Sequence, residues 1–198
     1  MSFRKEKKYR LSKSDFYTLR ANLSSMGMKP LYDKRQINSV YFDNKDMQMF
    51  YESEEGVLPR KKIRVRWYNS STKYSKEIKI SSIEGRFKSS QKLTSIKTLN
   101  NISGMKVFDP SYGYVYPIVK ISYLRTYFEL GNMRITFDEN ITYKDLRKVN
   151  CNSLSDAEFV VEVKIPDSFE DDSLEKIIPY QTARFSKFCR GILMTGLT

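Results

Sequence analysis

Lys62-Ile63-Arg64-Val65-Arg66-Trp67 alternates basic and apolar residues without a break. Successive side chains of a strand point to opposite faces, so Lys62, Arg64 and Arg66 share one face while Ile63, Val65 and Trp67 share the other. In one strand this pattern describes no more than a solvated outer sheet face. It returns along the chain, however. Arg4, Glu6, Lys8 and Arg10 fall on one face near the start, and Glu77 and Lys79 oppose Ile78 and Ile80. Arg134 and Asp138 oppose Met133, Ile135 and Phe137, and Glu162 and Lys164 oppose Val161, Val163 and Ile165. Recurrence in five strands predicts a barrel closed with its charged faces inward, an interior suited to a polyanion.

The 198 residues, 40% of them hydrophobic, are enough for a packed core and predict a single domain over 1–198. Net charge is +12, from 35 Lys and Arg against 23 Asp and Glu, so the expected partners are anionic. The chain contains no His. That removes imidazole from every catalytic or metal-binding scheme and excludes Ser-His-Asp and Cys-His chemistry. Cys151 and Cys189 make neither a disulfide framework nor a paired-Cys zinc spacing, which fits a reduced, cytoplasmic setting. The start, Met1-Ser2-Phe3-Arg4-Lys5-Glu6-Lys7-Lys8, has no apolar stretch behind it, so no secretory signal is expected, and membrane association would need a partner protein.

A strand over about 3–11 runs into Ser12 or Ser14 as helix caps with Asp15 in the first turn, and Phe16, Leu19, Leu23 and Met26 carry helical spacing up to Gly27 and Pro30. Strands follow at about 36–43, 62–68, 74–80 and 86–89, with a short helix near 46–54 and a turn at Asn69-Ser70-Ser71. The Gly, Pro, Asp and Ser of 103–117 predict a long loop, with Tyr112, Tyr114 and Tyr116 packing it. Strands at 118–130, 133–138, 141–149 and 158–165 and a helix near 183–193 complete the chain. The result is a mainly β (α+β) class, an eight-stranded antiparallel β-barrel tunnel with flanking helices. No glycine-rich phosphate loop of the Gly-x-x-x-x-Gly-Lys or Gly-x-Gly-x-x-Gly kind occurs, so side chains must hold any phosphate. Arg64 and Arg66 offer planar forks for phosphate, and Lys8, Lys79, Lys88 and Lys164 offer point charges. Glu162 is the candidate oxygen ligand for a divalent metal, with a salt bridge as the alternative for it and for Glu6 and Glu77.

These residues resemble the VTC (vacuolar transporter chaperone) domain of the triphosphate tunnel metalloenzymes over nearly the whole chain. The likeness rests on Arg4-x-Glu6-x-Lys8-Tyr9, Ser39-Val40-Tyr41-Phe42-Asp43, Arg64-x-Arg66-Trp67-Tyr68 and Glu77-x-Lys79. It continues through Arg125-Thr126, Arg134 with Asp138, Val161-Glu162-Val163-Lys164, and Phe185-Ser186-Lys187-Phe188 before Gly191. The resemblance implies a tunnel of eight antiparallel strands and transfer of the γ-phosphoryl group of ATP onto a growing polyphosphate chain. It implies a catalytic set of Arg64, Arg66, Arg125, Arg134, Lys164 and Lys187, with Lys8, Lys79, Lys88 and Arg184 binding phosphate. Glu162 and Glu6 would hold Mn²⁺ or Mg²⁺. Arg184 stands where the family often has Lys, and Arg4 replaces the first Glu of the Glu-x-Glu-x-Lys that opens the hydrolase branch, which favours the polymerase branch. A metal-dependent triphosphate hydrolase on the same fold and a non-catalytic polyphosphate sensor are the alternatives. A nucleic-acid module is disfavoured, because carboxylates sit among the period-two cations and no recognition-helix or RNP-type motif occurs.

Overall fold

In the computed structural model, residues 4–96 and 98–196 are described, without the side chain of Arg4. The expectations that rest on Phe3 and on the Arg4 side chain therefore lie outside the described residues. The chain is mainly antiparallel β with flanking helices. Its elements are β1 (Arg4–Leu11), α1 (Lys13–Ser25), β2 (Lys29–Asp43), α2 (Gln48–Glu55), β3 (Arg60–Tyr68), β4 (Tyr74–Ser82) and β5 (Gly85–Leu93). There follow α3 (Leu99–Ser103), β6 (Val107–Asp109), β7 (Gly113–Leu130), β8 (Met133–Asp145), β9 (Leu154–Ser155), β10 (Phe159–Pro166), α4 (Asp171–Ile177) and α5 (Lys187–Thr195). The hydrogen-bonded order is β1-β10-β8-β7-β2-β3-β4-β5, with the short β6 on β7 and β9 on β8.

The chain folds as two compact units, each assembled from distant pieces of sequence: 1–36, 123–141 and 156–185 in the first, 37–122, 142–155 and 186–198 in the second. In the first unit β1 pairs with β10 and β10 with β8, both antiparallel. One face is apolar. Tyr9, Leu11, Phe137, Ile135, Val161 and Val163 join Phe16, Leu19 and Leu23 of α1 and Leu174 of α4 in a single buried core. Phe16 meets Phe137 edge-on at 5.1 Å. The helix starts where the sequence says it should, because Ser12 accepts from the Asp15 N–H at 3.1 Å. In the second unit β3 is the centre of a β2-β3-β4-β5 meander, with Ile63, Val65 and Trp67 on its buried apolar face. The buried Asp43 carboxylate accepts from the N–H groups of Asn44, Met49 and Phe50 at 2.8–2.9 Å, tying β2 to the start of α2. Burial nevertheless pushes its carboxyl up to about 6.

Several boundaries differ from the sequence reading. β2 begins at Lys29, seven residues before the expected Gln36, and tolerates Pro30 because it lies at the strand's start. The expected 103–117 loop contains the β6–β7 hairpin, whose turn is held by the Asp109 carboxylate accepting from the Ser111 N–H and by Gly113 at φ +67°. Tyr112 in that turn donates to Glu52, so it packs as expected. The two strands expected over 133–149 are one, because Asn140 takes φ +54° without breaking the ladder. The last helix begins at Lys187 and not near Ala183, because the Ala183 N–H donates to the Lys8 carbonyl of β1 at 2.8 Å, and Ser186 caps the helix from outside. Helix α4 was not anticipated, although Asp171 and Asp172 in its first turn and Lys176 in its last favour it electrostatically.

Candidate functional site: two charged sheet faces

The face of the first unit opposite its apolar core carries the charged residues. Register places Glu6 across from Lys164 and Lys164 across from Arg134, which makes one row. A second row runs Lys8, Glu162, Thr136. The Lys164 ammonium lies between two carboxylates, 3.7 Å from Glu6 and 3.4 Å from Glu162. Lys8 reaches Glu6 at 3.3 Å and donates to the Phe185 carbonyl at 3.0 Å. Arg125 of β7 grips the fully buried Asp138 carboxylate with two hydrogen bonds of 2.6 and 2.7 Å, and its outer nitrogen lies 3.9 Å from Glu162. Burial works against the charge on Arg125, but Asp138 beside it overrides that cost and raises its pKa well above the ordinary value. Six of the residues read from sequence, Glu6, Lys8, Arg125, Arg134, Glu162 and Lys164, thus meet on one face. Arg184 belongs to the same unit by sequence and is exposed.

The second unit builds its charged face around a buried carboxylate. Glu77 accepts from Arg64 Nε at 2.7 Å and from its terminal nitrogen, receives Lys88 at 2.7 Å, and has Arg66 at 3.7 Å. Burial raises the Glu77 carboxyl, but the guanidiniums of Arg64 and Arg66 and the hydrogen bond from Lys88 outweigh it and hold it at about 2. The remaining outer nitrogen of Arg64 donates to the Tyr41 hydroxyl at 2.7 Å. Arg64 is therefore a buried strut whose fork faces protein, whereas Lys79 and Lys88 are exposed and Arg66, leaning on Ser39 Oγ at 3.2 Å, is partly exposed. Tyr41 stacks on Phe188 of α5 with centroids 5.1 Å apart. Burial pushes its phenol up, yet Arg64, Arg66 and Lys79 together pull it from 10.0 down to about 7. Lys62 donates to Ser186 Oγ at 2.9 Å, one residue before Lys187 at the start of α5.

Sequence reading passed over Tyr41 as a chemical participant. The signal was present, since Ser39 and Tyr41 share the parity of β2, and register sets them opposite Arg66 and Arg64. What was missing was the pairing itself.

The donor set can be tested against a divalent cation. Among the described residues no group of three or more His, Cys, Asp or Glu side chains gathers as a metal cage. Glu6 and Glu162 already hold one cation, the Lys164 ammonium, between them. Two carboxylates that meet across one ammonium offer the hard oxygen donors that an ion of the Mg²⁺ type takes, so the donor chemistry of Glu6 and Glu162 fits such an ion.

Mainly antiparallel strands with flanking helices, each unit carrying charged residues on one sheet face, fit a β fold of the triphosphate-tunnel type. The VTC domain model matches residues 3–195, and the chain belongs to that family. A structure from Bacillus halodurans described as a candidate adenylate cyclase superposes with TM-score 0.60 at 14% identity, covering 91% of this chain and 92% of that one. A similarly described structure from Vibrio parahaemolyticus gives 0.55 at 15%, covering 93% and 95%. An adenylyl cyclase homologue from Hippeastrum, described as having a dominant triphosphatase activity, gives 0.52 at 13%, covering 94% and 93%. At such identities these likenesses speak for the fold. No curated protein matches the chain. Among the described residues no helix is long and apolar enough to cross a membrane.

Proposed function

We propose that this protein is an ATP-dependent polyphosphate polymerase that transfers the γ-phosphoryl group of ATP to a growing polyphosphate chain. The observation that carries this reading is the first unit's charged face, where Lys8, Arg125, Arg134 and Lys164 surround two carboxylates, in a chain that belongs to the VTC family. Phosphoryl transfer asks little covalent work of the protein; it needs in-line positioning and charge neutralisation. An oxygen of the acceptor chain's terminal phosphate forms the new bond to the γ-phosphorus, and the bond from that phosphorus to the β–γ bridging oxygen breaks, leaving ADP. No side chain is needed as a base, because the attacking phosphate oxygen is already anionic.

Arg125 is fixed by Asp138, so its remaining N–H edge is presented without rotamer search. Arg134 and Lys164 hold phosphate oxygens from neighbouring strands, and Lys8 supplies a further point charge. In the second unit Arg66, Lys79, Lys88 and Lys187 bind phosphate, while Arg64 orients Tyr41 and Glu77. Arg184 adds an exposed cation. Glu6 and Glu162 would hold Mn²⁺ or Mg²⁺, which supplies neutralisation of charge on the phosphate oxygens. ATP and polyphosphate are the partners on this reading, with any membrane contact made through another protein.

The test is product analysis. Purified protein with ATP, Mn²⁺ and a short polyphosphate primer should lengthen the polymer and release ADP. Release of orthophosphate without lengthening would favour the hydrolase, an activity described for the Hippeastrum fold relative. Tight polyphosphate binding with no turnover would leave a sensor.

A further inference from the structure

The N-terminal half of β2, which the charge alternation did not reach, carries Tyr32 and Arg35. In the first unit these meet Tyr127 of β7 and Arg134 of β8. The two rings stand edge to face, with centroids 5.7 Å apart and planes at 83°. Arg35 lies 5.5 Å from the Tyr32 centroid and 5.7 Å from that of Tyr127. Arg134 lies 5.6 Å from each. Four cation–π contacts thus tie two guanidiniums to two rings in a single cluster. Tyr127 is buried, but the cluster is open to solvent on the Tyr32 side. Tyr32 remains 50% exposed, and the apolar core lies on the other face of β8 and β10.

Its position gives the chemistry. Arg134 belongs to the cluster and also ends the row Glu6, Lys164, Arg134, so the cluster adjoins the phosphate ligands at one edge. Tyrosine rings and guanidinium planes are the surfaces on which nucleobases stack, tolerant of base identity because every base has a π-face. A ligand with a flat aromatic end and a polyanionic end matches this sequence of surfaces.

We propose that Tyr32, Tyr127, Arg35 and Arg134 form a stacking platform for the base of a nucleoside triphosphate whose phosphates lie along Arg134 and Lys164. Tyr32 supplies the accessible ring, Tyr127 backs it, and the two guanidiniums hold the rings in place and flank the base. The inference rests on the phosphate-site reading above and adds the subsite that distinguishes a nucleotide from a bare phosphate chain.

The test compares two probes, ATP and inorganic tripolyphosphate, each with Mg²⁺, by titration calorimetry on wild type, Tyr32→Ala, Tyr32→Trp and Arg35→Gln. Tyr32→Ala should weaken ATP about tenfold while tripolyphosphate stays within about twofold of wild type, the selectivity that loss of one base stack produces. Tyr32→Trp should restore ATP binding, and Arg35→Gln should weaken ATP selectively by a few-fold. Equal losses for both probes, or none for ATP, overturn the platform and leave the phosphate site standing. Failure of wild type to bind either probe overturns the phosphate site and the platform with it. Should circular dichroism show Tyr32→Ala unfolded, the same selectivity criterion applied to Arg35→Gln decides.

Discussion

Replacing Glu77 with Gln removes one charge from the centre of the second unit and keeps the shape. In the folded protein its carboxyl sits at about 2 against an ordinary 4.5, held there, against burial, by Arg64, Arg66 and Lys88. At about 1.4 kcal/mol per pKa unit this corresponds to about 3 kcal/mol of folding stability at neutral pH. Breaking a buried ion pair from one side independently costs about 3–5 kcal/mol, because the partner charge is left uncompensated. The side chains of Arg64 and Glu77 are only 7% and 5% exposed, so solvent offers little compensation. Urea denaturation at pH 7 should therefore show Glu77→Gln losing about 3 kcal/mol, a midpoint shift of about 1.5 M at an m-value of about 2 kcal/mol/M. The folded pKa lies below the unfolded one, so the contribution is complete above about pH 4.5 and is lost as pH falls toward 2. The difference between wild type and variant should accordingly narrow across that window. A loss below about 1 kcal/mol, or a difference that does not change with pH, would refute the claim that Glu77 is a buried, charge-locked strut.

Tyr41 should titrate near pH 7, seen as about one tyrosine equivalent in difference absorbance at 295 nm and abolished by Tyr41→Phe; because its folded pKa lies below its unfolded 10.0, its contribution to stability should grow as pH rises from about 7 to 10. Glu162→Gln should abolish divalent-dependent turnover while circular dichroism stays native, and undiminished turnover across a metal titration would reassign Glu162 to salt bridging with Lys164. Gly191→Ala would set a Cβ 2.7 Å from Tyr143 Cδ1 and 3.3 Å from Val119 Cγ2, so thermal unfolding should show a loss of about 1–3 kcal/mol, and an unchanged midpoint would mean that α5 shifts freely. Arg66→Ala should weaken ATP binding by about 1.5–3 kcal/mol in calorimetry, the range for charge-assisted hydrogen bonds, and unchanged affinity would remove Arg66 from the phosphate ligands.

The period-two alternation of 62–67 and 161–165 was sufficient to specify antiparallel strands with one charged and one apolar face, since which face a side chain occupies is a local property of the extended backbone. The Ser12–Asp15 cap and the helical spacing of Phe16, Leu19 and Leu23 were equally legible, as caps and helix faces depend on residues a few positions apart. The family motif was readable because its pieces keep their order and spacing. Tertiary structure decided which charges meet which. Arg64 and Arg66 look identical in sequence, yet register sets Arg64 directly opposite Glu77 while Arg66 leans on Ser39. Likewise the Ala183 N–H bonds to the Lys8 carbonyl, which keeps Ala183 out of α5. The polar stretch from Lys29 to Gln36 has too little apolar alternation to announce itself as strand, and only its neighbours bring Tyr32 and Arg35 against Tyr127 and Arg134. Pairing across 11 to 177 residues of sequence is set by the packing of whole strands, and side-chain partners among many equivalent cations are chosen by distance in space, which no local pattern encodes.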